Sequence, residues 1–101
     1  MNDLLIVGLG NPGKDYEQTR HNVGANFVKL LSKHLDISLT KEEKFLSHYG
    51  SKKLEAIKIH LSIPTVYMNE SGKTVHEITK YLQIDLADIL IVHDELDLPT
   101  G

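Results

Sequence analysis

The chain has 101 residues, 41% of them hydrophobic, which allows one small domain with a modest core. It contains no cysteine, so disulfides, thiolate nucleophiles and cysteine-ligated zinc are excluded. Lys and Arg number 11 against 14 Asp and Glu, a formal net charge of -3 that does not mark the chain as a whole as a nucleic-acid binder. A local basic patch is compatible with that balance; Lys52, Lys53 and Lys58 are candidates, although such a cluster is more simply a solvated face. The opening MNDLLIVGLG lacks a basic n-region, which argues against a secretory signal, and no apolar run reaches membrane-spanning length. A soluble, cytoplasmic protein is expected.

In chain order, residues 4–7 form a short apolar run ended by Gly8 and read as a buried strand. A polar loop follows from Asn11 to about Arg20, and Asn22 is placed to cap a helix in which Phe27, Leu30, Leu31 and His34 recur at helical spacing. Residues 45–49 and 55–61 read as two strands around a turn at Gly50 and Ser51. The stretch SIPTVYMNESG reads as a loop held by Pro64 and Gly72, and Val75, Ile78, Thr79 and Leu82 mark a second amphipathic helix. Asp88 is placed to cap a brief turn, and residues 89–92 are a last apolar strand running into HDELDLPTG. No repeat, linker or low-complexity tract interrupts the pattern.

Strand, helix, hairpin, helix, strand predicts a single α/β domain with a mixed, twisted sheet flanked by helices. The chain ends on Pro and Gly without a closing element, so it reads as residues 1–101 of a longer domain, its N-terminal part. Ligands of open α/β sheets collect beyond the carboxyl ends of the strands. Asn11 and His21 follow the first strand and Asp94 follows the last, so parallel pairing of these two strands would bring their polar ends into one cleft.

Gly8, Gly10 and Gly13 satisfy G-x-G-x-x-G, but the context opposes a dinucleotide fold. Pro12 sits inside the turn, and the KDYEQTRHN that follows lacks helical apolar spacing. The acidic residue expected about 20 residues on has only Asp36 as a candidate, in a helix-to-strand connection. SGKT at 71–74 lacks the upstream glycine of a phosphate-binding loop. The glycines are better read mechanically, as a sharp turn that lets the backbone approach a ligand and presents the Asn11 amide.

His21 lies just before a helix, where its neutral form is favoured, as a general base requires. Asp94 can orient the imidazole through its second nitrogen and stabilise the protonated form. No nucleophile completes a triad, since Ser71 has no G-x-S-x-G elbow, so water is expected to attack directly. Asn11 and Asn69 can hold a carbonyl or the water without competing for the proton, although Asn69 can also be a plain helix cap. A metal set of His21, His93, Asp94 and Asp97 has poor ligand spacing, and His34, His48, His60 and His76 show no convergent partners in the pattern. A nucleotide-binding regulatory or redox domain and a non-catalytic RNA-binding module remain as alternatives.

Three segments, VGLGNPGKDYEQTRHNVG, PTVYMNESG and ILIVHDELDLPTG, resemble the bacterial-type peptidyl-tRNA hydrolases, in that family's order and approximate spacing. The resemblance covers essentially the whole chain and corresponds to the family's N-terminal portion, members being roughly twice this length. It implies a cytoplasmic α/β enzyme, expected to be monomeric, that needs no organic cofactor and no metal. Such an enzyme hydrolyses the ester between a peptide, or an N-blocked amino acid, and the terminal ribose of tRNA. It also implies that His21 and Asp94 are catalytic and that Asn11, Tyr16, Met68 and Asn69 bind substrate, Met68 as a pocket wall. A third active-site asparagine and basic tRNA-contacting residues are expected in a segment beyond DLPTG.

Overall fold

The computed structural model describes residues 2–10, 23–65 and 71–92. Five strands, β1 (Asn2–Gly8), β2 (Thr40–Glu42), β3 (Ser47–Leu54), β4 (Ile57–Pro64) and β5 (Ile89–Val92), form one sheet in the order β2-β3-β4-β1-β5. β4, β1 and β5 are parallel; β2-β3 and β3-β4 are antiparallel. Helix α1 (Val23–Leu35) covers one face and α2 (Ser71–Leu82) the other. This is the mixed α/β sheet that the element order predicts.

Residues 4–7 of β1 are apolar without a break because the strand is covered on both sides, as central parallel strands are. Ile6 joins Ala25, Val28, Ile59, Leu61 and Ile63 beneath α1, while Leu5 and Val7 join Phe45, Ile78 and Ile84 beneath α2. β4 instead alternates. Ile59, Leu61 and Ile63 face α1, so the two-residue pleat turns His60 and Ser62 toward α2.

Both helices stop without glycine. Asp36 (φ 61°) and Gln83 (φ 56°) take left-handed backbone, and the next residues bond back across the last turn. Ile37 N–H donates to Ser32 O at 2.8 Å and Ile84 N–H to Thr79 O at 3.1 Å. Each stop delivers a buried isoleucine to the core cluster on its own face.

Three local expectations are corrected. The hairpin turns at Glu55 and Ala56, not at Gly50 and Ser51; Glu55 supplies the positive φ of 52°. Gly50 is instead within β3, pressed so close to the Ser38 carbonyl that a Cβ would collide with it. Second, α1 buries Gly24, Ala25, Val28 and Ser32, while Phe27 and Leu30 are exposed. Small residues let the helix lie close to the sheet, and the large ones flank that contact. Third, residues 62–64 belong to β4, so the stretch read as a loop begins at Thr65. Among the described residues β5 is paired on one side only, leaving Leu90 and Ile91 partly open. Asp88 closes a 3-10 turn (Leu86–Asp88) in which Asp85 holds the cap position, and Asn22 lies outside the described residues.

His60 has the partners its sequence context concealed. Its Nε2 is 2.7 Å from Asp3 Oδ1 and its Nδ1 is 2.6 Å from Tyr49 Oη, with the imidazole 1% exposed. The chain Asp3–His60–Tyr49 thereby ties β1, β4 and β3 together across the α2 face. Phe45 stands edge-on to both Tyr49 and Tyr81, at centroid distances of 4.9 and 5.5 Å, extending this polar and aromatic layer outward.

Two predictions follow from these contacts. A Cβ on Gly24 would collide with the Val92 carbonyl and press on the Leu9 backbone, whereas one on Gly72 meets nothing within 4 Å. Urea unfolding should show Gly24→Ala destabilised by about 3 kcal/mol, and Gly72→Ala unchanged or up to about 1 kcal/mol more stable. Burial, assisted by Asp3 and Glu42 and opposed by Ser51, raises the Tyr49 pKa. Its contribution to stability is therefore full below pH of about 10 and is lost above it, where the unfolded chain releases the proton first. The Tyr49 ring carbon signal in NMR should titrate above about pH 10; a midpoint at or below that value contradicts the burial argument.

Candidate active site

The parallel strands β4, β1 and β5 all deliver their carboxyl ends to one edge of the sheet. Gly8 of β1 is in register with Val92 of β5, and Val7 with Ser62 of β4. The β1–β5 pairing continues past the strand, since Leu9 N–H donates to Val92 O at 2.8 Å. Helix α1 begins at this same edge, where Ala25 N–H donates to Leu9 O at 3.2 Å. Gly8 and Gly24 are the reason it can: a Cβ on Gly8 would strike the Gly24 carbonyl and the Val28 side chain. Backbone of β1, β5 and α1 is therefore in direct contact at one point.

The sequence candidates His21, Asp94, Asn11, Tyr16, Met68 and Asn69 lie outside the described residues. Their described flanks do not scatter. Asn11 follows Gly10, His21 is two residues before Val23, and Asp94 is two residues after Val92. These three flanks belong to the β1–α1–β5 contact. Asn69 is two residues before Ser71, between the end of β4 and the start of α2. The condition for one cleft, that the first and last strands be parallel neighbours, is met in the register itself.

The Asp3–His60–Tyr49 chain is the one described arrangement that pairs a carboxylate with an imidazole, and sequence reading missed it. Alternation along β4, with Ile59 and Leu61 flanking His60, was the available signal for its burial. It is not placed to act on a ligand. Both ring nitrogens are occupied, the ring is closed to solvent, and His60 is level with Leu5, three residues back from Gly8. At strand rise that is about 10 Å from the edge. Its chemistry is that of a cross-strand tie.

Beside the start of α2, Glu43, Lys44, Leu46, Gly72, Lys73, His76 and Glu77 line an open pocket of mixed charge. Lys44 Nζ stands 4.2 Å from the centroid of the Tyr81 ring, which engages that cation. Among the described residues no group of three or more His, Asp or Glu is arranged to hold a metal ion, and no helix is long and apolar enough to cross a membrane.

Comparison with known proteins agrees with this geometry. The peptidyl-tRNA hydrolase family matches residues 5–101. A peptidyl-tRNA hydrolase of Marinomonas sp. (strain MWYL1) is 44% identical over 97 residues, covering 96% of this chain and 50% of that protein. That of Pseudomonas putida is 47% identical over 97 residues, with the same coverage of 96% and 50%. The crystal structure of the peptidyl-tRNA hydrolase from Acinetobacter baumannii superposes with a TM-score of 0.87 at 46% identity, over 96% of this chain and 50% of that one. The chain spans about half the length of the curated relatives it matches. With this chain matched over residues 5–101, and the sheet and its three convergent parallel strands in place, the chain belongs to the peptidyl-tRNA hydrolase family.

Proposed function

We propose that this chain carries the water-activating groups of an enzyme that hydrolyses the ester linking a peptide, or an N-blocked amino acid, to the terminal ribose of tRNA. The observation that supports this most is the β1–β5 register. Gly8 opposite Val92, closed by the Leu9–Val92 hydrogen bond, brings together the described flanks of Asn11, His21 and Asp94. Family membership supplies the substrate class, since the relatives are peptidyl-tRNA hydrolases.

The chemistry runs through His21 as general base. Neutral imidazole takes a proton from water as the water oxygen attacks the ester carbonyl carbon. Asp94 stabilises the resulting imidazolium and holds its tautomer. Collapse of the tetrahedral intermediate breaks the bond to the ribose oxygen, which takes the proton back from the imidazolium, releasing peptide acid and tRNA. The amides of Asn11 and Asn69 donate hydrogen bonds to the acyl portion, with Tyr16 and Met68 shaping its pocket. No step calls for a cofactor or metal. We assign the enzyme to the cytoplasm, where peptidyl-tRNA arises, and expect it to act as a monomer.

The test is single-turnover hydrolysis of purified peptidyl-tRNA by a full-length protein containing these residues, paired with a binding assay. His21→Ala should lower the rate constant by roughly 10²–10⁴ while affinity for the substrate changes little. A rate near wild type removes His21 as the base. Collapse of binding instead makes it a recognition residue and favours an RNA-binding module.

A further inference from the structure

Leu46 lies at the corner between a 3-10 turn (Glu43–Phe45) and β3, in left-handed backbone with φ 51° and ψ 41°. Its carbonyl oxygen accepts two hydrogen bonds. One comes from the Thr65 backbone N–H at 2.9 Å, the other from the Thr74 hydroxyl at 3.0 Å. Both lone pairs of this oxygen are thereby used.

The two donors stand on either side of one stretch of chain. Thr65 immediately follows β4, and Thr74 is in the first turn of α2, fully buried. Between them lie Met68 and Asn69. Donors that share one acceptor are no further apart than the two bonds laid end to end, so the end of β4 and the first turn of α2 are held together at the Leu46 oxygen. The Thr65 bond alone would anchor the departure from β4; the Thr74 hydroxyl anchors the return into α2 to the same atom.

We infer that Thr74 is a positioning residue: its hydroxyl, acting through the Leu46 carbonyl, holds the first turn of α2 against the end of β4, the two described flanks of Asn69, and so supports the binding of the acyl group. The inference rests on the reading of Asn69 as a substrate-binding residue. It gives a buried threonine hydroxyl a role that the 3.6-residue pattern of α2 does not reveal, because Thr74 occupies a position where an apolar side chain of equal shape would pack as well.

Thr74→Val removes the hydroxyl and keeps the shape, so the test is amide hydrogen exchange by NMR on a full-length protein containing these residues. Exchange at Thr65 should rise about tenfold, the equivalent of one net hydrogen bond, while the amides of Ile6 and Leu61 in the core strands stay as they were. Thr74→Ser should restore the slow rates. Equal acceleration at Ile6 and Leu61, no change at Thr65, or failure of serine to restore protection each overturns the inference. A second measurement separates it from the reading beneath it: titration with an N-acylaminoacyl-adenosine whose ester is replaced by an amide. Weaker binding in both Thr74→Val and Asn69→Ala supports both. Acceleration at Thr65 with unchanged affinity in both variants keeps the tie and overturns the role of Asn69. Weaker binding in Asn69→Ala alone keeps Asn69 and overturns positioning by Thr74.

Discussion

The close approach of three backbones at Gly8, Gly24 and Val92 is the constraint on which the molecule depends. A parallel strand pair needs a crossover between its members, and β1 and β5 are separated by almost the whole chain. What makes them adjacent is the pairing of Gly8 with Val92, extended by the Leu9–Val92 hydrogen bond. What makes α1 start there is the absence of side chains on Gly8 and Gly24, which lets the helix backbone rest on the sheet backbone. The conjunction creates the edge to which the flanks of Asn11, His21 and Asp94 are joined. Gly8, the first glycine of the pattern that suggests a nucleotide loop, thus has a simpler use in packing.

The two faces of the sheet solve burial differently. Under α1 the core is aliphatic, and Ile6, Val28, Ile59, Leu61 and Ile63 would tolerate a sideways shift of one strand by two residues, because the pleat would present similar side chains again. Under α2 the core is partly polar. There, Asp3, His60 and Tyr49 come from three strands and meet in only one register; a two-residue slip of β4 would leave a buried imidazole without partners. Such a group is costly to bury unpaired, so the polar layer selects the alignment that the apolar layer leaves open. The same alignment fixes where β4 ends relative to β1, and hence where Thr65 meets the Leu46 carbonyl.

Much of this was legible in the residues themselves. An unbroken apolar run at 4–7 can only be a strand buried on both faces, and a 3.6-residue period at 75–82 can only be a helix with one face inward; both are local consequences of side-chain direction. The candidate functional segments stand out for a different reason: asparagine, histidine and aspartate placed beyond apolar strands are not residue types that a core calls for. Tertiary structure decided what depends on contacts distant in sequence. Gly50 looked like a turn and is a point of close packing, since the nearness of Ser38 is invisible in the chain; Glu55 took the turn because a short polar residue is not required where solvent surrounds it. Phe27 and Leu30 fit the helical period, yet the sheet approached along Gly24, Ala25 and Val28, where small side chains allowed the shorter distance. His60 looked solitary because its partners are 57 and 11 residues away, and only the pairing of β1, β4 and β3 closes that separation.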